Sequence, residues 1–203
     1  MSHDDLYAQQ ERLPNRLPQD GEAYYLERVL DVGSASEALA RCLEELDWEH
    51  ERVTMFGREI VTRRKIAWYA DAAMPYAYSG KTRVASPWVD CLLALKAHVE
   101  KASKTTFNAC LCNLYHSGEE GMGWHSDDEK TLVPDGVIAS LTLGDARRFS
   151  FKHKASGERV SLELAHGSLL IMQGETQTHW LHALPKTRKS RSARVNLTFR
   201  QMR

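Results

Sequence analysis

The chain has 203 residues, 42% of them hydrophobic and 27% charged, which excludes a fibrous or disordered polymer and fits one globular domain. Its apolar runs, such as Ser168 to Met172, fall far short of the ~20 residues a membrane helix needs, and the acidic start Met1-Ser2-His3-Asp4-Asp5 does not resemble a secretory signal. A cytoplasmic protein is expected, nuclear if the source is eukaryotic, without a membrane partner. Formal net charge is zero, but residues 1–51 hold thirteen acidic against four basic residues, leaving the remainder at +9. Two solvated faces explain that split; so does a basic body that binds nucleic acid.

The first twenty residues, with Pro14, Pro18 and Asn15, show no sustained period and read as a loose arm outside the core. Ser34 and Glu37 have capping-box spacing, and Leu39, Cys42, Leu43 and Leu46 recur at helical intervals, predicting a helix over about 35–47. Ser86-Pro87 supplies an N-cap followed by a first-turn proline, with Trp88, Leu92, Leu95 and Val99 on one face of a second helix ending near Ser103. Beyond residue 105 the pattern changes to short β-type runs at 107–115, 137–143, 147–153, 158–164, 168–173, 178–183 and 193–200. The expected architecture is mainly β with flanking helices (α+β), a jelly roll or small barrel with two helices packed on one side. The scattered Cys42, Cys91, Cys110 and Cys112 read as small core residues.

His125 and Asp127 stand two apart, so an extended backbone projects both side chains from one face, where they can share a metal ion. The spacing alone is weak, since His3 and Asp5 match it too. A distant His182 completes a set of two histidines and one carboxylate, which leaves three positions open on iron. The C-terminal run Arg194-Val195-Asn196-Leu197-Thr198-Phe199-Arg200 alternates without a break, placing Arg194, Asn196, Thr198 and Arg200 on one face. Such a face is either wet or lines a barrel cavity, where two guanidinium groups suit a small dicarboxylate. Leu111, Asn113 and Tyr115 share a face in the same way.

Asn113-Leu114-Tyr115, Gly123 to Glu129, Ala165 to Met172, His182-Ala183-Leu184-Pro185-Lys186 and Arg194 to Arg200 together resemble the AlkB family. The resemblance extends to Arg63 to Tyr69 and Pro75 to Gly80, and its overall look is nearest to animal homologues two and three. It implies a double-stranded β-helix using iron(II), 2-oxoglutarate and dioxygen to dealkylate 1-methyladenine or 3-methylcytosine in DNA, with RNA as a further candidate, releasing formaldehyde, succinate and carbon dioxide. Carried over by position, it assigns His125, Asp127 and His182 to iron and rejects His179 as the third ligand. It gives Arg194 the distal carboxylate of 2-oxoglutarate, Arg200, Asn113 and Asn196 its other end, and Tyr115 a supporting contact.

A methylated base is cationic, so Tyr76, Tyr78 and Glu129 are its candidate readers. Arg58, Arg63, Arg64, Lys65, Lys186, Arg188, Lys189 and Arg191 are candidate phosphate contacts, and Phe56, beside Gly57, a finger that fills the gap left by a flipped base. Within the implied domain, residues 21–105 carry the helices and nucleotide recognition and 106–203 the catalytic jelly roll, acting as a monomer. The alternatives are a dioxygenase acting on a protein side chain or small molecule, and a non-catalytic metal-binding module.

Overall fold

Helix α1 spans Val32–Glu45 in the computed structural model, which describes residues 13–55, 58–72, 75–78, 81–189 and 192–203. It begins three residues earlier than the Ser34 cap implies, because Asp31 is the N-cap: its Oδ1 accepts from the Ser34 backbone N–H at 3.0 Å and its Oδ2 from the Ser34 hydroxyl at 2.7 Å. Ser34 is thus not the cap but a donor to it. Helix α2 spans Asp90–Ser103, later than Ser86-Pro87 suggests. Ser86 is instead an extension of sheet pairing, its N–H donating to Trp68 O and its carbonyl accepting from Ala70 N–H. A short third helix, α3 (Thr176–His179), occupies the start of the run expected as strand 178–183.

The strands are β1 (Glu22–Leu26), β2 (Glu49–Met55), β3 (Arg58–Ala70), β4 (Pro75–Tyr78), β5 (Lys81–Val84), β6 (Ala109–Tyr115), β7 (Met122–His125), β8 (Ile138–Gly144), β9 (Arg147–His153), β10 (Arg159–Leu164), β11 (Ser168–Gln173), β12 (Trp180–Leu184) and β13 (Arg194–Arg200). A seven-stranded sheet has the order β1-β11-β8-β13-β6-β3-β2, a four-stranded sheet the order β10-β9-β12-β7, and β4 pairs with β5 alone. All these pairings are antiparallel. The chain passes back and forth between the two sheets, as from β8 to β9 and from β10 to β11, in the jelly roll the sequence predicts.

β13 sits fourth of seven in the large sheet, so both of its edges are paired, and all seven of its residues are buried. Val195, Leu197 and Phe199 pack outward under α1 and α2, in one cluster with Cys42, Leu92, Leu95 and Val99. The other face looks toward the small sheet. There a second cluster joins Ile138, Leu170 and Met172 to Phe151, Leu164 and Trp180. The four cysteines are buried free thiols, as expected of core residues.

The described part of the N-terminal arm is not loose. Leu17 is 3% exposed and packs in the second cluster, while the Trp180 indole N–H donates to Gln19 O at 3.0 Å. Asn15 Oδ1 accepts from the N–H groups of both Leu17 and Ala23, closing the segment into a hook. Its prolines and polar residues conceal one buried leucine from a periodicity search. Leu17→Ala is expected to destabilise the protein by about 2–4 kcal/mol in urea unfolding, the range for emptying a buried leucine site; a change under about 0.5 kcal/mol would show that the hook adds nothing to the core.

Candidate metal and cosubstrate centre

The register of β7 against β12 pairs His125 with His182, and their ring centroids lie 4.2 Å apart. Asp127 follows just beyond the end of β7. Its Oδ1 lies 3.8 Å from His125 Nε2 and 4.0 Å from His182 Nε2, a separation that one ion with bonds of about 2.1 Å spans. His125 Nδ1 lies 2.8 Å from Gly123 O. A carbonyl only accepts, so Nδ1 donates there and Nε2 is the ring nitrogen turned toward Asp127.

Burial pushes the His182 imidazole down to about 3, against the attraction of Asp127 and with the repulsion of His125, so the ring is neutral and able to ligate. Burial alone would raise the Asp127 carboxyl, but Arg200, with Nη2 at 3.0 Å, and the two histidines outweigh it and hold it below the usual carboxylate range. The donor set is therefore two imidazoles, that of His182 held neutral by burial, and one carboxylate.

The even face of β13 forms the cavity's other wall. Asn196 pairs with Asn113 and Arg194 with Tyr115 in register, and Arg194, Asn196, Thr198 and Arg200 all line the same cavity as the histidines. Arg194 is 2% exposed. Its Nη2 donates to Thr142 Oγ1 at 2.9 Å and Asn196 Oδ1 at 2.6 Å, and its guanidinium lies 5.5 Å from the Tyr115 ring centroid. Among the described residues it has no carboxylate partner, and its Nε has no hydrogen-bond acceptor. Burial lowers it to about 10, so it stays cationic at neutral pH.

Other expected site residues fall differently. Glu129 reaches Arg200, with Oε1 3.5 Å from Nη1, and so stands beside the metal group. Arg63 is exposed, 3.6 Å from Glu119. Arg64 is not a phosphate contact: it is buried, ion-paired with Glu51, and donates to Asn113 Oδ1 at 2.7 Å. Lys186, Arg188 and Lys189 follow β12. Tyr76 and Tyr78 share a face of β4, opposite Arg83 and Lys81 of β5 by backbone register. Phe56 and Arg191 lie outside the described residues, as do the side chains of Tyr76, Tyr78 and Arg58.

His179 stays out of the His125 group and meets Asp20 and His153 instead. The Ser156 N–H points at His153 Nδ1 at 3.1 Å, which leaves the ring proton on Nε2, facing Asp20 Oδ2 at 3.2 Å.

Sequence reasoning missed several cavity residues. Ser140 and Thr142 on β8 pair with Thr198 and Asn196; two hydroxyls at period two in an otherwise apolar strand were the available signal. Phe149, whose ring stacks on His182 at 5.3 Å, and Arg147 left no such trace. Arg147 is 1% exposed and donates to the carbonyls of Ser117, Glu120 and Pro185, tying together the loops that flank the cavity.

Residues 22–200 match the model of the 2OG-Fe(II) oxygenase superfamily. Human DNA oxidative demethylase ALKBH2 is 43% identical over 159 residues, covering 74% of this chain and 61% of that protein. Rat alpha-ketoglutarate-dependent dioxygenase alkB homolog 3 is 40% identical over 184 residues, covering 84% and 61%. The chain belongs to the AlkB family of 2OG-Fe(II) oxygenases. It spans about three-fifths of the length of these relatives. The solved structure of OsALKBH1 superposes with a TM-score of 0.66 over 88% of this chain and 97% of its own at 17% identity, showing the same fold. Iron(II) and 2-oxoglutarate are the metal and cosubstrate of this superfamily, and the centre suits both: two imidazoles with an ionised carboxylate for iron, and a buried cation lacking a carboxylate among the described residues for the dicarboxylate.

A buried cation without its anion is destabilising. Arg194→Met, which keeps the stem and removes the charge, is expected to raise the stability of the ligand-free AlkB-family chain by about 1 kcal/mol or more in urea unfolding. A loss of similar size would show that Thr142 and Asn196 already compensate the guanidinium.

Proposed function

We propose that this chain is an iron(II)- and 2-oxoglutarate-dependent demethylase acting on N-alkylated bases of DNA, with RNA as a second substrate. The observation that carries this reading is the meeting of the His125–Asp127–His182 group and the unpaired, buried Arg194 in one cavity. A metal module would need only the first. The names of the similar proteins supply the substrate class.

Iron(II) with bound 2-oxoglutarate supplies the oxidation of the N-methyl carbon by dioxygen; the resulting hydroxymethyl base loses formaldehyde, with succinate and carbon dioxide as the other products. His125, Asp127 and His182 hold the metal. Arg194 takes the distal carboxylate through a charge-assisted pair, Arg200, Asn113 and Asn196 receive the opposite end, and Tyr115 packs beside it. Glu129, held at the Arg200 guanidinium, reads the cationic base together with Tyr76 and Tyr78. Exposed Arg63, Lys186, Arg188 and Lys189 take phosphates while the target base leaves the stack, and Phe56 fills the gap it vacates. No helix among the described residues is long and apolar enough to cross a membrane. The proposed enzyme acts as a monomer in the compartment that holds its nucleic acid.

Incubation with iron(II), 2-oxoglutarate and matched oligonucleotides containing 1-methyladenine, 3-methylcytosine or the unmodified base is expected to yield formaldehyde and the restored base from the methylated pair alone. The Asp127→Ala variant should yield neither. 2-Oxoglutarate consumption without any repaired base would overturn the nucleic-acid reading and leave a dioxygenase of another substrate class.

Loss of the Arg194 charge in Arg194→Met should raise the KM for 2-oxoglutarate about 100-fold, equivalent to ~3 kcal/mol for a buried charge-assisted pair. An unchanged KM would place the dicarboxylate elsewhere. If Phe56 is the finger, Phe56→Ala should slow duplex repair about tenfold, the equivalent of ~1.4 kcal/mol, while repair of single strands and the Tm hold. Equal slowing on both substrates would remove that role.

A further inference from the structure

We propose that Gln177 is a positioning residue for the carboxylate ligand, holding Asp127 at its distance from His125 and His182. The inference rests on the iron reading above and concerns a side chain that lines no part of the cavity between the sheets.

The β7–β12 ladder ends at the pair His125 and His182. Continued in the same register, it would set Asp127 opposite Trp180, but the chain before Trp180 turns into α3 and no ladder carbonyl meets the Asp127 N–H. Asp127 is 7% exposed, so that N–H needs a partner inside the protein. Gln177 supplies it: its side-chain oxygen accepts from Asp127 N–H at 2.9 Å. The amide's orientation is fixed from both sides, because the N–H at Asp127 only donates while the sulfur of Met172, 3.6 Å from Gln177 Nε2, accepts. Lys154 Nζ donates to the Gln177 carbonyl at 2.9 Å and anchors the helix itself. The neighbouring contact from Ser126 Oγ to Trp180 O is long, at 3.4 Å.

Gln177 thus stands in for a missing ladder partner. It belongs to the four-residue helix that runs directly into the strand bearing His182, so one hydrogen bond ties the segment carrying the carboxylate ligand to the segment carrying an imidazole ligand. Contacts that orient a ligand in this way typically change metal affinity 10- to 100-fold when removed.

The test uses the full chain with manganese(II) as an iron(II) substitute, free metal being read by electron paramagnetic resonance, beside the thermal midpoint of the metal-free protein. Wild type should bind and Asp127→Ala should not. Gln177→Met, similar in length but lacking the acceptor oxygen, should weaken manganese(II) about 10- to 100-fold; Gln177→Glu, which keeps an acceptor, should stay within about threefold of wild type. A Gln177→Met protein that binds manganese(II) like wild type, whatever its midpoint, overturns the proposal, and so does a Gln177→Glu protein that loses as much affinity as Gln177→Met. If wild type fails to bind, or Asp127→Ala binds equally well, the metal reading itself falls and this inference with it.

Discussion

All seven residues of β13 are buried, yet every second one is polar or charged. That combination is tolerable only in a strand with an apolar layer on one side and a polar cavity on the other. The helices α1 and α2 supply the first, covering Val195, Leu197 and Phe199; the space between the sheets supplies the second. A register slip of one residue would drive two guanidinium groups into the layer under the helices and three apolar side chains into the cavity. The pairing of β13 with β6 and β8 is consequently fixed along its length, and Tyr115, Asn113, Thr142 and Ser140 arrive in the cavity because they sit across from its polar residues.

The buried arginines show how the fold apportions charge. Arg64 is neutralised by Glu51, and Arg147 is surrounded by three backbone carbonyls. Arg200 sits between Asp127 and Glu129, so the cation that keeps the metal-facing carboxylate ionised also touches the carboxylate proposed to read the base. Arg194 is held by neutral groups, Thr142 and Asn196, which orient it without cancelling its charge. Leaving one buried cation uncompensated costs stability in the empty protein, and it makes a bound dicarboxylate the natural counter-ion.

Alternation is a local property, and so the β runs from 107 onward other than the four-residue β7, and the polar row of β13, were legible from the chain alone. The His125, Asp127 and His182 set needed the resemblance to separate His182 from His179, three residues away; spatially the two rings go to different clusters because α3 ends at His179 and β12 begins at Trp180. What escaped depends on partners distant in sequence. Arg64 reads as one of three consecutive surface cations until Glu51 and Asn113 are placed beside it. Leu17 is a single apolar residue among turn formers, buried in a cluster whose other members include Phe151 and Trp180, far away in sequence. β1 and the β2–β3 pair precede the region where strands were expected, and the many charged residues of β2 and β3 obscured the pattern there.

Exposure across the metal group is graded, which gives the cavity a direction. The His182 and Asp127 side chains are 5% and 6% exposed, whereas that of His125 is 25% exposed. The difference follows from topology: β12 lies inside the small sheet between β9 and β7, while β7 is an edge strand with pairing on one side only. Arg194, fully enclosed, marks the closed end. A dicarboxylate anchored there would lie deep against β13, and among the described residues the metal group is most exposed at the His125 end of β7. In the proposed reaction a base would therefore approach the metal group from the His125 side, the more exposed side among the described residues, with the dicarboxylate held at the far, enclosed end by Arg194.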